Sequence, residues 1–196
     1  MANTTFLNNI DGEKVKELLN STDINSTYFA RIVDDVVKSY SSDLENLMST
    51  IEQSVFQNTI VDDISLESYA LRLTNMLYFI GERLETVGIK ADIARAARQE
   101  IYNKTYLEND VEKEINGKKV KPTKDANMAV AEEESKYESV VSSIYERTYK
   151  IIKFKIDAAQ EMVNTLRKII TKHIQDANMA FQKASIRTVE NNEIEI

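Results

Sequence analysis

The apolar positions from Tyr145 to Ala184 recur with a seven-residue period. Every seventh residue from Tyr145 gives Tyr145, Ile152, Ala159, Leu166, His173 and Ala180, and a set four residues later gives Tyr149, Ile156, Val163, Ile170, Ala177 and Ala184. Such a 3,4 alternation is the seam of a helix that coils around another helix. Its partner lies upstream. Leu66, Leu73, Ile80, Val87, Ala94 and Ile101 fill one seam position of a second long helix, while Ala70, Leu77, Leu84, Ala91, Arg98 and Thr105 fill the other. Gly81 and Gly88 stand just outside this seam, where they either admit a close neighbour or loosen the helix.

Residues 109–124, NDVEKEINGKKVKPTK, separate the two seams and hold the only strand chemistry. Asn116-Gly117 is a strong two-residue turn signal between Val111, Lys113, Ile115 and Lys118, Val120, and Pro122 forbids helix continuation. A turn centred there places Val87 near Tyr145 and Glu146, Ile80 near Ile152 and Leu66 near Leu166. Helices of about 43 and about 60 residues would span about 65 and about 90 Å, so the second outruns the first. Upstream, Asp11 caps a short helix over Gly12 to Asn20, and the polar run at residues 20–27 is a linker. From Tyr28 to about Phe56 a third helix carries the apolar stripe Phe29, Ile32 or Val33, Val36, Tyr40, Leu44, Leu47, Ile51, Val55 and an acidic opposite face.

The predicted fold is all-α: a long antiparallel coiled-coil helical hairpin with a small β-hairpin at its tip, plus N-terminal helices. Its segments are an acidic N-terminal part (1–60), the hairpin (61–187, tip 109–124) and an acidic tail (188–196), expected to form one structural unit. The end of the last helix beyond about Leu166 has no partner within the hairpin. Ile169, Ile170, His173, Ile174, Ala177 and Phe181 are therefore expected at a homo-oligomer interface.

Composition narrows the function. Four Gly and one Pro among 196 residues, 29% of them charged, suit long helices, and the absence of Cys rules out disulfides and thiolate chemistry. No 18-residue apolar run exists and the start, MANTTFLNNID, lacks a basic region followed by an apolar one. Neither a membrane anchor nor a signal peptide is expected, and a cytoplasmic location follows. The net charge of -7 is unevenly spread, with 6 Lys/Arg against 14 Asp/Glu in residues 1–88 and 9 against 4 in residues 146–187. An acidic first half precedes a basic hairpin.

Catalytic chemistry finds no support. His173, the one histidine, has no carboxylate four residues to either side and reads as a packed core residue. Glu132, Glu133 and Glu134 suit the start of a helix, and no phosphate-cradling glycine motif is present. No catalytic residue, metal or cofactor is expected, and the chain is not expected to be an enzyme. The basic residues carry more information. Arg95, Arg98, Lys104, Lys118, Lys119, Lys121 and Lys124 crowd the end of the first long helix and the tip, interleaved with Tyr102 and Tyr106. Cations that neutralise phosphates beside rings on which bases stack are what a sequence-tolerant single-strand binder needs. The alternative is a solubilising surface on an ordinary coiled coil.

The segment Ala97-Arg98-Gln99-Glu100-Ile101-Tyr102 resembles the Ala-Arg-x-acidic-x-Tyr end of the first long helix in phage recombination mediators of the UvsY type. Tyr149, Ile151-Ile152, Arg167, Lys172-His173-Ile174-Gln175-Asp176 and Ala180-Phe181 follow in that family's order, over about residues 70–182. The resemblance implies a non-enzymatic accessory protein of DNA recombination that binds single-stranded DNA as a ring-like homo-oligomer. It also implies contact with the single-strand-binding protein and the recombinase, which it helps to load in the cytoplasm of an infected bacterial host. Arg98 matches the family's DNA-linked arginine; the preceding lysine position is Ala96, with Arg95 one residue earlier. Two other classes are a phage structural or assembly coiled coil without nucleic-acid binding, and an inhibitor whose acidic helix mimics nucleic acid.

Overall fold

The computed structural model describes residues 10–20, 26–57, 61–115 and 118–193, and every long element in it is helical. In order these are α1 (Gly12–Asn20), α2 (Ser26–Gln57), α3 (Asp63–Asn109), strands β1 (Lys113–Ile115) and β2 (Lys118–Val120), α4 (Lys124–Glu134) and α5 (Lys136–Glu193). The chain is all-α apart from that strand pair, which is antiparallel with Lys113 opposite Val120 and Ile115 opposite Lys118. Asn116-Gly117 lies outside the described residues.

Local chemistry sets the helix ends. The Asp11 carboxylate accepts from the Glu13 backbone N–H at 3.1 Å, opening α1. Asp62 accepts from the backbone N–H and the hydroxyl of Ser65, each at 2.8 Å, opening α3. These bonds favour the ionised form and hold the Asp62 carboxyl below its usual range. After Pro122, Thr123 caps α4 by accepting from the Ala126 N–H at 3.3 Å. No Gly or Pro follows Pro122, so nothing in the covalent chain stops the helix that comes next. One break does occur, at Ser135, whose backbone sits at φ -94°, ψ 5° while its N–H still bonds the Ala131 carbonyl at 3.1 Å. The single helix of about 60 residues expected from the sequence is therefore two, α4 and α5.

The contacts divide the chain into two compact units, Met1–Ser42 with Gly81–Phe154 and Asp43–Ile80 with Lys155–Ile196, a division that does not follow the sequence segments at 60 and 187. In the first unit Val15, Val36, Val37, Val87, Ile144, Tyr145 and Ile152 are buried. Burial pushes the Tyr145 hydroxyl up to about 12, so it stays protonated as a core group. Gly88 packs on Tyr149, whose ring would lie 3.4 Å from an added Cβ, and Arg95 meets Glu146 at 2.6 Å. In the second unit Leu44, Ile51, Leu66, Leu73, Ala159, Val163 and Leu166 are buried. There the Tyr69 hydroxyl donates to Ser54 at 3.1 Å, Lys155 pairs with Glu45, and Asp63 meets His173 at 2.7 Å.

Against the register expected from a turn near residue 116, Gly88–Tyr149 and Asp63–His173 are displaced by about one helical turn and Arg95–Glu146 by about two. The returning chain carries the Ser135 break and the outgoing chain carries none. His173 corrects two expectations. It is not a core residue, being 44% exposed in its side chain, and it has a partner on α3. The buried seam also stops earlier than its spacing suggests. Arg98 is exposed rather than packed in the α3 seam, and every residue from Thr171 to Lys183 is exposed.

Two substitutions test this packing by urea unfolding. Leu73→Ala, at a fully buried seam position, is expected to cost about 2–5 kcal/mol. Gly81→Ala, where an added Cβ meets nothing within 4 Å, is expected to stabilise by about 0.5–1 kcal/mol through helix propensity. A neutral Leu73→Ala would contradict the buried seam.

Candidate nucleic-acid interface

The last turns of α3 and the first turns of α4 enclose a groove of about 510 Å³ lined by Tyr102, Asn103, Tyr106, Leu107, Lys124 and Met128. Helical spacing builds its main feature. Tyr102 and Tyr106 are four residues apart on one face of α3, with ring centroids 6.4 Å apart and planes 13° from parallel. Both are half-buried, Leu107 is 68% exposed, and Lys124 at the start of α4 also lines the groove.

Asp110 fixes the connection that shapes the groove. Its backbone N–H continues α3 by bonding the Tyr106 carbonyl at 3.1 Å. Its carboxylate accepts from the buried Asn127 amide at 3.3 Å and from the Lys121 ammonium at 3.2 Å. One acid therefore joins the end of α3, the chain after β2 and the second turn of α4.

The eight residues expected at this interface fall into distinct groups. Arg98 and Lys124 are exposed, with no carboxylate within 4 Å among the described residues, and Tyr102 lies in the groove. Lys104 is loosely held by Glu108 at 3.9 Å, and Lys121 is engaged by Asp110. Lys118 and Lys119 have described backbone in β2, and their side chains lie outside the described residues. Arg95 departs most from expectation. It bonds Glu146 at 2.6 Å and Asp92 at 3.1 Å, so its charge is matched across α5 and along α3. The same pair holds the Glu146 carboxyl below its usual range and raises Arg95, both chiefly through their shared hydrogen bond. A phosphate reaching Arg95 must displace a carboxylate, whereas at Arg98 it need not.

Of the expected oligomer residues, Ile169 and Ile170 are half-buried, and His173, Ile174, Ala177 and Phe181 are exposed. Sequence reasoning missed Asn103, Leu107 and Met128 in the groove, since their role depends on where α4 returns. It also missed an exposed stripe on α3 formed by Ile64, Leu71 and Tyr78, with Phe79 edge-on to Tyr78 at 5.6 Å. The seven-residue spacing of the first three was a legible signal, lying outside the chosen seam.

Stacked rings beside cations that have no carboxylate within 4 Å among the described residues suit stacking of bases with neutralisation of phosphates. Among the described residues no group of three or more His, Cys, Asp or Glu is placed to hold a metal ion, and no helix is long and apolar enough to cross a membrane. Comparison with protein-family models, curated proteins and solved structures gave no match.

The Arg95–Glu146 pair makes a pH prediction. Because Glu146 is depressed in the folded chain, its stabilising effect is present above the unfolded carboxylate value of about 4.3 and is lost as pH falls through the folded value. Arg95→Ala is expected to move the Glu146 carboxyl titration, followed by NMR, to higher pH. An unchanged titration would contradict the pairing.

Proposed function

We propose that this protein is a non-enzymatic, homo-oligomeric single-stranded DNA-binding protein of the recombination-mediator kind, helping to load a phage recombinase in the host cytoplasm. The fold reading that goes with it is an antiparallel coiled-coil hairpin of α3 and α5 with a small β-hairpin at its tip. The recombinase and the single-strand-binding protein are the partners this reading requires, and they rest on the UvsY-type resemblance. The observation that carries the DNA-binding reading is the groove between α3 and α4. It sets the near-parallel Tyr102 and Tyr106 rings beside Lys124, a cation without a carboxylate partner among the described residues. Arg98, one turn before Tyr102 on α3, supplies a second such cation.

A second reading has an observation of its own. Ile174 and Met179 are each 52% exposed on a stretch of α5 with no buried residue from Thr171 to Lys183, which suits a structural or assembly coiled coil. In that reading the cations only solubilise the surface, and the net charge of -7 repels nucleic acid.

Titration of labelled oligothymidylate at two salt concentrations separates them. The mediator reading expects binding that weakens with salt, a log–log slope smaller by about 1.4 in Arg98→Ala with Lys124→Ala, and a loss of about 1–3 kcal/mol for each tyrosine truncated at positions 102 and 106. No binding at low salt would exclude it and leave the assembly reading, for which sedimentation must then show an oligomer.

A further inference from the structure

A larger cleft of about 990 Å³ lies elsewhere in the same unit, between the first turns of α2 and the early part of α5. That volume is at the upper end of the range of about 300–1,000 Å³ typical of small-ligand sites. Its apolar wall is formed by Phe29, Val33, Val140 and Ile151, and its polar wall includes the hydroxyls of Ser26, Ser139 and Ser143. Two guanidiniums, Arg31 and Arg147, complete it. The Arg147 guanidinium lies over the Phe29 ring, 5.8 Å from its centroid. Neither arginine has a carboxylate within 4 Å among the described residues. Asp34, the one acid in the lining, is 2.9 Å from the Lys38 ammonium. The start of α2 at Ser26 adds the partial positive charge of a helix N-terminus.

We propose that this cleft is a second nucleotide subsite, in which Arg31 and Arg147 hold a phosphate and Phe29 with Ile151 receives the base. Guanidinium is suited to phosphate because its planar fork of donors matches two phosphate oxygens, and it stacks on rings without losing that capacity. The contrast with Arg95 is chemical. Arg95 already has two carboxylates, whereas Arg147 has an aromatic ring beneath it and no acid within ion-pair distance among the described residues. A phosphorylated planar ring uses both the cations and the apolar lining, whereas a bare phosphate would leave the accessible surface of Phe29 and Ile151 uncovered. The ligand could be one residue of a nucleic-acid strand or a free nucleotide, which share this chemistry. The strand source rests on the DNA-binding reading above; the free-nucleotide source does not.

The test uses the full chain in two arms. In the first, labelled oligothymidylate is titrated against the wild type, Arg31→Ala with Arg147→Ala, and Arg147→Lys. A strand in the cleft predicts about tenfold or greater weakening and a salt slope lower by about 1.4 for the double variant. It predicts an intermediate effect for Arg147→Lys, which keeps the charge and loses the planar stack. In the second, thymidine 5′-monophosphate is titrated while the Phe29 ring and Arg147 side-chain resonances are followed by NMR. Saturable shifts at both residues, absent from the double variant, support the subsite and identify a free nucleotide as sufficient. Weakened strand binding without such shifts supports the subsite and assigns it to a strand. Unchanged strand binding together with no shifts overturns the proposal, as does a preference for an acidic peptide that perturbs the same resonances when the nucleotide does not. If the wild type binds no strand at all, the DNA-binding reading falls and the nucleotide arm alone decides the cleft. Circular dichroism of each variant guards against misfolding, and Arg147→Lys keeps the test decisive if the double variant does not fold.

Discussion

Burial of the α5 seam is the constraint on which the rest of the structure depends. A helix of 58 residues cannot hide a seven-residue apolar repeat alone. From Ile144 to Leu166 it does so within the two units, and α2 and α3 supply the other apolar stripes of each. Beyond Ile170 the repeat offers only His173, Ala177 and Ala180 before the described side chains end, and burial ceases. Alanine and histidine at those positions bring little apolar area to bury, so the change from buried to exposed helix is written in side-chain size as much as in spacing.

The same constraint bears on the groove between α3 and α4. Past Ala94 the α3 seam carries the exposed Arg98 and a half-buried Ile101, and α4 lines the groove beside its last turns. Two tyrosines on successive turns then keep an accessible side, and Asp110 sets the position of α4 through Asn127 and Lys121. Electrostatics sorts the cations that remain. Exposed ion pairs contribute only about 0–1 kcal/mol each. The Arg95–Glu146 pair therefore matters less for stability than for removing one positive charge from the surface that nucleic acid would meet.

Local features were legible in the sequence and distant pairings were not. The extent of α1, the stripe of α2 and the buried residues Leu66, Leu73, Ile80 and Val87 follow from periodicity and capping alone. Arg95–Glu146 joins residues 51 apart and Asp63–His173 residues 110 apart, so both depend on a register that an offset of about one to two turns changes. The Ser135 break was hidden because serine next to a glutamate run is compatible with continuous helix. Arg147 over Phe29 was equally invisible, since α2 carries no spacing signal that places it beside the start of α5.

Photocrosslinking of a bromouracil-substituted single strand to the full chain, followed by peptide mapping, tests the central claim most directly. The account predicts adducts on Tyr102 or Tyr106, reduced by Arg98→Ala with Lys124→Ala. Adducts confined to the exposed end of α5 beyond Leu166, or no adducts where the strand binds, would contradict it.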